Sequence, residues 1–157
     1  MIQLRKIDYD NFREILSLRV KPEQSSFVAD NGYSLAEAFA LRESGHRALP
    51  FGLYHQGQAV GFAMLGYGYI DGDPQIARGN YLICRLMIAA EYQGRGLGKA
   101  ALAACLDYIR TGPCGPGEYV WLSYEPENTA ARNLYHRAGF HENGEVCGGE
   151  TVAVLKL

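Results

Sequence analysis

A chain of 157 residues has the size of one ordinary domain, and a hydrophobic fraction of 48% is enough to build a core. The formal net charge of −2, without a long run of one sign, excludes an electrostatic nucleic-acid footprint. No apolar segment approaches the roughly 20 residues that span a bilayer, and Met1-Ile2-Gln3-Leu4-Arg5-Lys6 lacks the apolar centre of a signal peptide.

In chain order, Ile2 to Ile7 reads as a strand. Asp8 to Arg19 reads as a helix whose apolar face is made imperfectly by Phe12, Ile15, Leu16 and Leu18. Val20 to Tyr33 is a polar loop. Ser34-Leu35-Ala36-Glu37 has the form of a capping box and predicts a helix that runs to about Ser44, with Gly45 as its stop. Ala48 to His55, the Gln56-Gly57 turn and Ala59 to Tyr69 read as a hairpin, followed by an Asp71-Gly72-Asp73-Pro74 turn. Tyr81 to Ile88 is apolar, aromatic-rich and free of Gly and Pro, as a buried strand is. Beyond it, Leu97, Ala101, Leu102, Cys105, Leu106 and Ile109 recur at helical spacing. Thr111 to Gly117 is rich in breakers, Tyr119 to Tyr124 is a strand, and Asn128 to Ala138 is a helix ended by Gly139. Phe140 to Val146 and Thr151 to Leu157 are the closing strands.

The cysteines Cys84, Cys105, Cys114 and Cys147 form no C-x-x-C pair and no zinc pattern, so no metal site is expected. Cys84 and Cys105 fall on apolar faces as small hydrophobes, which points to a reduced, cytoplasmic protein.

The most informative stretch is Gln93-Gly94-Arg95-Gly96-Leu97-Gly98, between the strand and the helix. Alternating glycines leave backbone N–H groups unobstructed at the positive end of the helix dipole, where a phosphate or pyrophosphate is stabilised. It is not a Walker loop, because Gly98-Lys99 is followed by Ala100 and Gln93 stands where the first Gly belongs. It is not G-x-G-x-x-G either, and it lies past the middle of the chain. Gln93, Gly96 and Gly98 fit Gln/Arg-x-x-Gly-x-Gly/Ala, which resembles the acetyl-coenzyme A loop of the GNAT N-acetyltransferases.

A second segment carries the same resemblance. Asn128-Thr129-Ala130-Ala131-Arg132-Asn133-Leu134-Tyr135-His136-Arg137-Ala138-Gly139-Phe140 is similar to the family pattern N-x-x-A-x-x-L-Y-x-x-x-G-F. Asn128 and Tyr135 are seven residues apart and so share a helix face. The order β-α-α-β-β-β-α-β-α-β-β is that of the family's α/β (α+β) fold. The resemblance therefore implies one domain over residues 1–157, with a twisted, mostly antiparallel mixed sheet of about seven strands and a splayed central pair.

The resemblance also implies the chemistry, in which a primary amine attacks the thioester of acetyl-CoA. It places pantetheine against Leu86, Met87 and Ile88, whose backbone also serves the oxyanion, and the pyrophosphate on Gln93, Gly94, Arg95, Gly96, Leu97, Gly98 and Lys99. Asn128, Asn133 and Tyr135 complete the cofactor set, with Tyr135 as general acid toward the coenzyme sulfur. Many relatives use a glutamate on the strand corresponding to residues 81–88, but this chain has Arg85 there, leaving Glu23, Glu125 and Glu150 as candidate bases.

The text Gln24 to Asn31, Arg85-Leu86-Met87-Ile88 and Gly149-Glu150 resembles the bacterial diamine and spermine/spermidine branch. A polyamine needs spaced carboxylates along an apolar groove. Glu23, Asp30, Glu125 and Glu150, with Asp71 and Asp73, are the candidates, and Tyr33, Tyr67 and Tyr69 are candidate walls. Two other readings stay open: the same transfer to an aminoglycoside, amino acid or protein amine, and a non-catalytic coenzyme A sensor, against which Tyr135 counts. Members of the family are often homodimers.

Overall fold

The computed structural model describes residues 1–157. The strands are β1 (Gln3–Lys6), β2 (Arg47–His55), β3 (Gln58–Tyr67), β4 (Tyr81–Ile88), β5 (Tyr119–Tyr124), β6 (His141–Cys147) and β7 (Glu150–Lys156). The helices are α1 (Phe12–Ser17), α2 (Asn31–Glu43), α3 (Leu97–Arg110) and α4 (Thr129–Arg137). Single 3-10 turns occupy Pro22–Gln24, Gln75–Ala77 and Ala90–Tyr92. All seven strands share one sheet in the order β1-β2-β3-β4-β5-β7-β6. Only β4 and β5 run parallel, and α3 supplies the crossover that a parallel pair requires.

Both faces of the sheet are covered. On one, α3 buries the six apolar residues whose spacing predicts it, together with Tyr124, Tyr135 and Phe140. On the other, Ile15 of α1 and Ala38 of α2 pack against Tyr54, Phe62 and Met64. Because β3 is covered from both sides, every residue from Ala59 to Gly66 is buried, and its sequence reads as a continuous apolar run. No helix is long and apolar enough to cross a membrane.

Two helices differ from the expectation. α1 begins at Phe12 because the Asp8 carboxylate accepts from the backbone N–H groups of Asp10 (3.0 Å) and Asn11 (3.2 Å), holding a turn ahead of it. α2 begins at Asn31, inside the expected loop, and its cap is Asp30, whose carboxylate accepts from the Tyr33 N–H at 2.8 Å. Asn31 is buried and donates to the Ile15 carbonyl at 2.9 Å, so a tertiary bond fixes the helix start. The Ser34–Glu37 capping box does not form: Ser34 is buried inside α2, and Glu37 turns to Arg85.

The feature that positions the site is a bulge. Met64 pairs with Arg85 and Leu65 with Ile83, so Cys84 has no partner on β3. A bulge bends its strand and increases the local twist. β4 and β5 accordingly pair only at Tyr81–Val120 and Leu82–Trp121, then part. Gly61 permits the close approach of β3 to the far end of β4, since a Cβ there would lie 2.2 Å from the Met87 carbonyl oxygen.

Candidate active site

Where β4 and β5 part, a cleft of about 690 Å³ opens. The edge of β4 from Ile83 to Ile88 has no β5 partner and forms one wall. Ser123, Tyr124 and Glu125 form the other. The cleft passes through the sheet. Leu86, Tyr124, Leu97 and Tyr135 belong to the core under α3 and α4, whereas Cys84, Met87, Trp121 and Cys147 pack on the opposite face. A ligand can therefore be met from both sides of one sheet.

The glycine loop bounds the α3 side. Gly94 (φ 78°) and Gly96 (φ 74°) hold left-handed backbone, with open space where a Cβ would stand. Gly96 is the N-cap of α3 and offers no side chain to the first N–H groups, so the helix start is left for an outside acceptor. Gly98 and Leu97 also line the cleft. The Gln93 amide donates to the Ile88 carbonyl (2.9 Å) and to the Gln24 side chain (2.8 Å), tying the loop to the end of β4 and to the turn after α1. Arg95 and Lys99 are exposed and do not line the cleft; Arg95 instead donates to the Glu91 carbonyl at 3.0 Å.

Asn128 caps α4, accepting from the Ala131 N–H at 3.2 Å, and lines the cleft together with Tyr135. Asn133 does not. At about 100° per residue it stands roughly 200° from Tyr135, on the exposed side of α4. Tyr135 is 9% exposed, between the Tyr124 ring at 5.8 Å and the Phe140 ring at 5.9 Å. Burial pushes its phenol up to about 12, so it stays protonated throughout the neutral range.

The opposite face is acidic. Glu37, Asp73, Glu125 and Glu150 line the cleft there, against Arg85 as the one cation on its walls. Glu37 and Arg85 meet at 3.0 Å, and Arg85 also donates to the Cys84 carbonyl at 3.0 Å. Asp73 accepts from the Ile70 N–H at 3.0 Å. Burial and then the charge of Glu125 raise the Glu150 carboxyl above its ordinary value, with Ser123 and Arg85 opposing. Arg85 Nε and Trp121 Nε1 are buried donors without a protein partner.

Several sequence candidates stand elsewhere. Glu23 is exposed on the Pro22–Gln24 turn, and Asp30 is engaged as the α2 cap beside a second, smaller cavity. Asp71 does not reach the cleft. Tyr67 donates to the Pro116 carbonyl, Tyr69 stacks under Arg78, and Tyr33 is exposed, so none is a wall. Glu37 and Trp121 line the cleft although the sequence marks neither as a site residue. The spacing of Glu37 from Ser34 mimics a cap, and only the fold brings α2 against β4.

An uncapped helix start beside an unpaired strand edge suits a long phosphorylated cofactor that lies in the wedge with its reactive end at the break in the sheet. These features mark the cleft as a binding site for such a ligand. Known proteins identify it further. The model of the Acetyltransferase (GNAT) family matches residues 1–140. The spermine/spermidine N(1)-acetyltransferase of Bacillus subtilis (strain 168) is 34% identical over 99% of both chains. The N-alpha-acetyltransferase RimI of Mycobacterium tuberculosis is 30% identical over 78% of this chain and 70% of its own. Among solved structures, the aminoglycoside acetyltransferase AAC(6')-Ib in complex with coenzyme A superposes with a TM-score of 0.81, at 17% identity, over 99% of this chain and 95% of that one. The chain belongs to the GNAT acetyltransferase family. It is an acetyl-CoA-dependent N-acetyltransferase.

Proposed function

We propose that the acceptor is a polyamine or diamine, acetylated on a primary amine. The observation that carries this reading is the acidic wall: four carboxylates, Glu37, Asp73, Glu125 and Glu150, against one guanidinium along the cleft. A substrate with several ammonium groups gains from such a wall at each of them. The names of the Bacillus relatives, matched over nearly the whole chain, support the same reading.

Acetyl-CoA supplies an activated acyl carbon and a thiolate leaving group. The backbone of Leu86, Met87 and Ile88 orients the acyl arm along the free edge of β4 and donates to the developing oxyanion. The Gly94–Gly98 backbone holds the pyrophosphate without help from Arg95 or Lys99, which lie off the cleft wall, while Asn128 fixes the start of α4 so that Tyr135 faces the reacting centre. Tyr135, kept protonated by burial, gives its proton to the departing sulfur.

The reading extends to one domain over residues 1–157, to a reduced cytoplasmic setting that four unpaired thiols suit, and to a homodimer. The test is a panel of amines followed by thiol release: spermine, spermidine and diamines should exceed a monoamine, an amino acid, a peptide N-terminus and an aminoglycoside in kcat/KM. Equal turnover across the panel overturns the polyamine reading, and sedimentation tests the dimer.

A further inference from the structure

The substrate enters as an ammonium with a pKa near 10.4 and must lose a proton before it can attack. β4 carries no carboxylate, so the proton acceptor lies elsewhere on the cleft. Glu37 is held by Arg85, and Asp73 is engaged at the Ile70 N–H. Glu150 and Glu125 remain. In the β5–β7 ladder, Ser123 faces Val152 and Tyr124 faces Thr151, so Glu150 is the next residue toward the mouth of the wedge. By strand alternation it shares a face with Val152 and Val154, the face of Trp121 and opposite the α3 side where Tyr135 is buried. Gly148 (φ 54°) and Gly149 (φ 84°) make the tight turn that sets Glu150 opposite Cys147 at this spot. Glu125 stands just past the end of β5, level with Glu150 by the same register but outside the strand pairing, whereas Glu150 is held within β7.

We propose that Glu150 accepts the proton of the substrate ammonium, from the face of the sheet opposite the proton donor Tyr135. The assignment rests on the polyamine or diamine reading of the acceptor. In the first step an N–H bond of the ammonium breaks and Glu150 becomes a neutral carboxylic acid. The freed nitrogen lone pair bonds to the acyl carbon as the carbonyl π pair moves onto oxygen, and that pair re-forms the carbonyl when sulfur leaves. The carbon–sulfur bond then breaks and the sulfur takes the Tyr135 proton. The nitrogen returns its second proton to the tyrosinate, and Glu150 releases the first to solvent. One ammonium and one thioester yield one amide, one thiol and one proton. The groups around Glu150 favour this. Its partial burial comes first, then Glu125 past β5, both raising its proton affinity, against Ser123 on β5 and Arg85 on β4. Cys84 on β4, Cys147 on β6 and Tyr135 on α4 also feel its charge, each holding its own proton more firmly for it.

The test is the pH profile of kcat/KM for spermidine and for a monoamine, in the full-length enzyme and in Glu150→Gln. The unmodified enzyme should show an acid limb, rising as Glu150 loses its proton, and a plateau near neutrality. In Glu150→Gln, kcat/KM at pH 7 should fall about 10²- to 10³-fold for both amines. The plateau should vanish, with the rate climbing about tenfold per pH unit toward the amine's own pKa near 10.4. Glu125→Gln should move the acid limb to lower pH, because a charge that raises Glu150 has gone. Glu150→Asp should keep the shape of the profile at reduced rate, which distinguishes lost chemistry from lost folding. A neutral plateau retained in Glu150→Gln overturns the assignment, as does a loss confined to the KM of spermidine. If spermidine proves no substrate, the polyamine reading fails separately, and the profile is taken with the amine the panel selects.

Discussion

Arg85 of β4 and Glu37 of α2 meet at 3.0 Å beside the bulge at Cys84, with side chains 20% and 33% exposed. The pair fastens the outer helix to the strand at the point where the sheet opens. It also neutralises one carboxylate of an otherwise acidic wall and leaves the others to a cationic ligand.

Removing one partner leaves the other charge half-buried and alone. Arg85→Met and Glu37→Gln should each lower stability by about 1–3 kcal/mol, at the modest end for ion pairs because both groups retain some water. Denaturant unfolding of the two single variants and the double variant gives the coupling. The double variant should be less destabilised than the sum of the singles.

Gly96→Val places a β-branched residue at φ 74° on the uncapped start of α3. Losing one charge-assisted hydrogen bond costs about 1.5–3 kcal/mol, so acetyl-CoA affinity should fall by about tenfold or more. Calorimetric titration of the folded variant measures it. Unchanged affinity would remove the loop from phosphate binding.

Tyr135→Phe keeps the ring between Tyr124 and Phe140 and removes only the proton. Turnover should fall by roughly 10²-fold, with acetyl-CoA affinity nearly unchanged. Single-turnover kinetics beside a binding titration separates the two effects, and full activity in the variant excludes Tyr135 as the acid.

Added salt screens exposed charges over about 8–10 Å at moderate ionic strength. The KM for a polyamine should rise with salt more steeply than that for a monoamine, since several ammonium groups meet several carboxylates. Steady-state assays between low and moderate salt are the measure, and parallel slopes count against a multi-point acidic site.

The sequence discloses the parts of the fold that depend on local pattern. The helical spacing from Leu97 to Ile109 returns as the buried face of α3, and Tyr81 to Ile88 and Tyr119 to Tyr124 are strands at their expected bounds. The glycine loop was legible because Gly94 and Gly96 need backbone that other residues resist. What depends on register was hidden. The bulge at Cys84 exists only relative to Met64 and Leu65 of another strand, and no property of Cys84 alone announces it. The acidic wall gathers residues from α2, from the loop before Gln75, and from beyond β5 and the start of β7. Acidic residues close together in sequence, such as Glu23 and Asp30, proved less informative than distant ones. Asn133 is a different case: two residues from Tyr135 already meant opposite sides of a helix.

The seam between β4 and β5 divides the polypeptide as well as the sheet. Everything up to Ile88 builds β1 to β4, and everything after it builds β5, β7 and β6. Tyr135 and Glu150 both come from the later portion, and β7 slots between β5 and β6, the strand made just before it. The free edge of β4 belongs to the earlier portion, and the groups proposed to handle protons meet it only from the later one. The cleft is therefore complete only when both portions of the chain are folded against each other across a seam of two residue pairs.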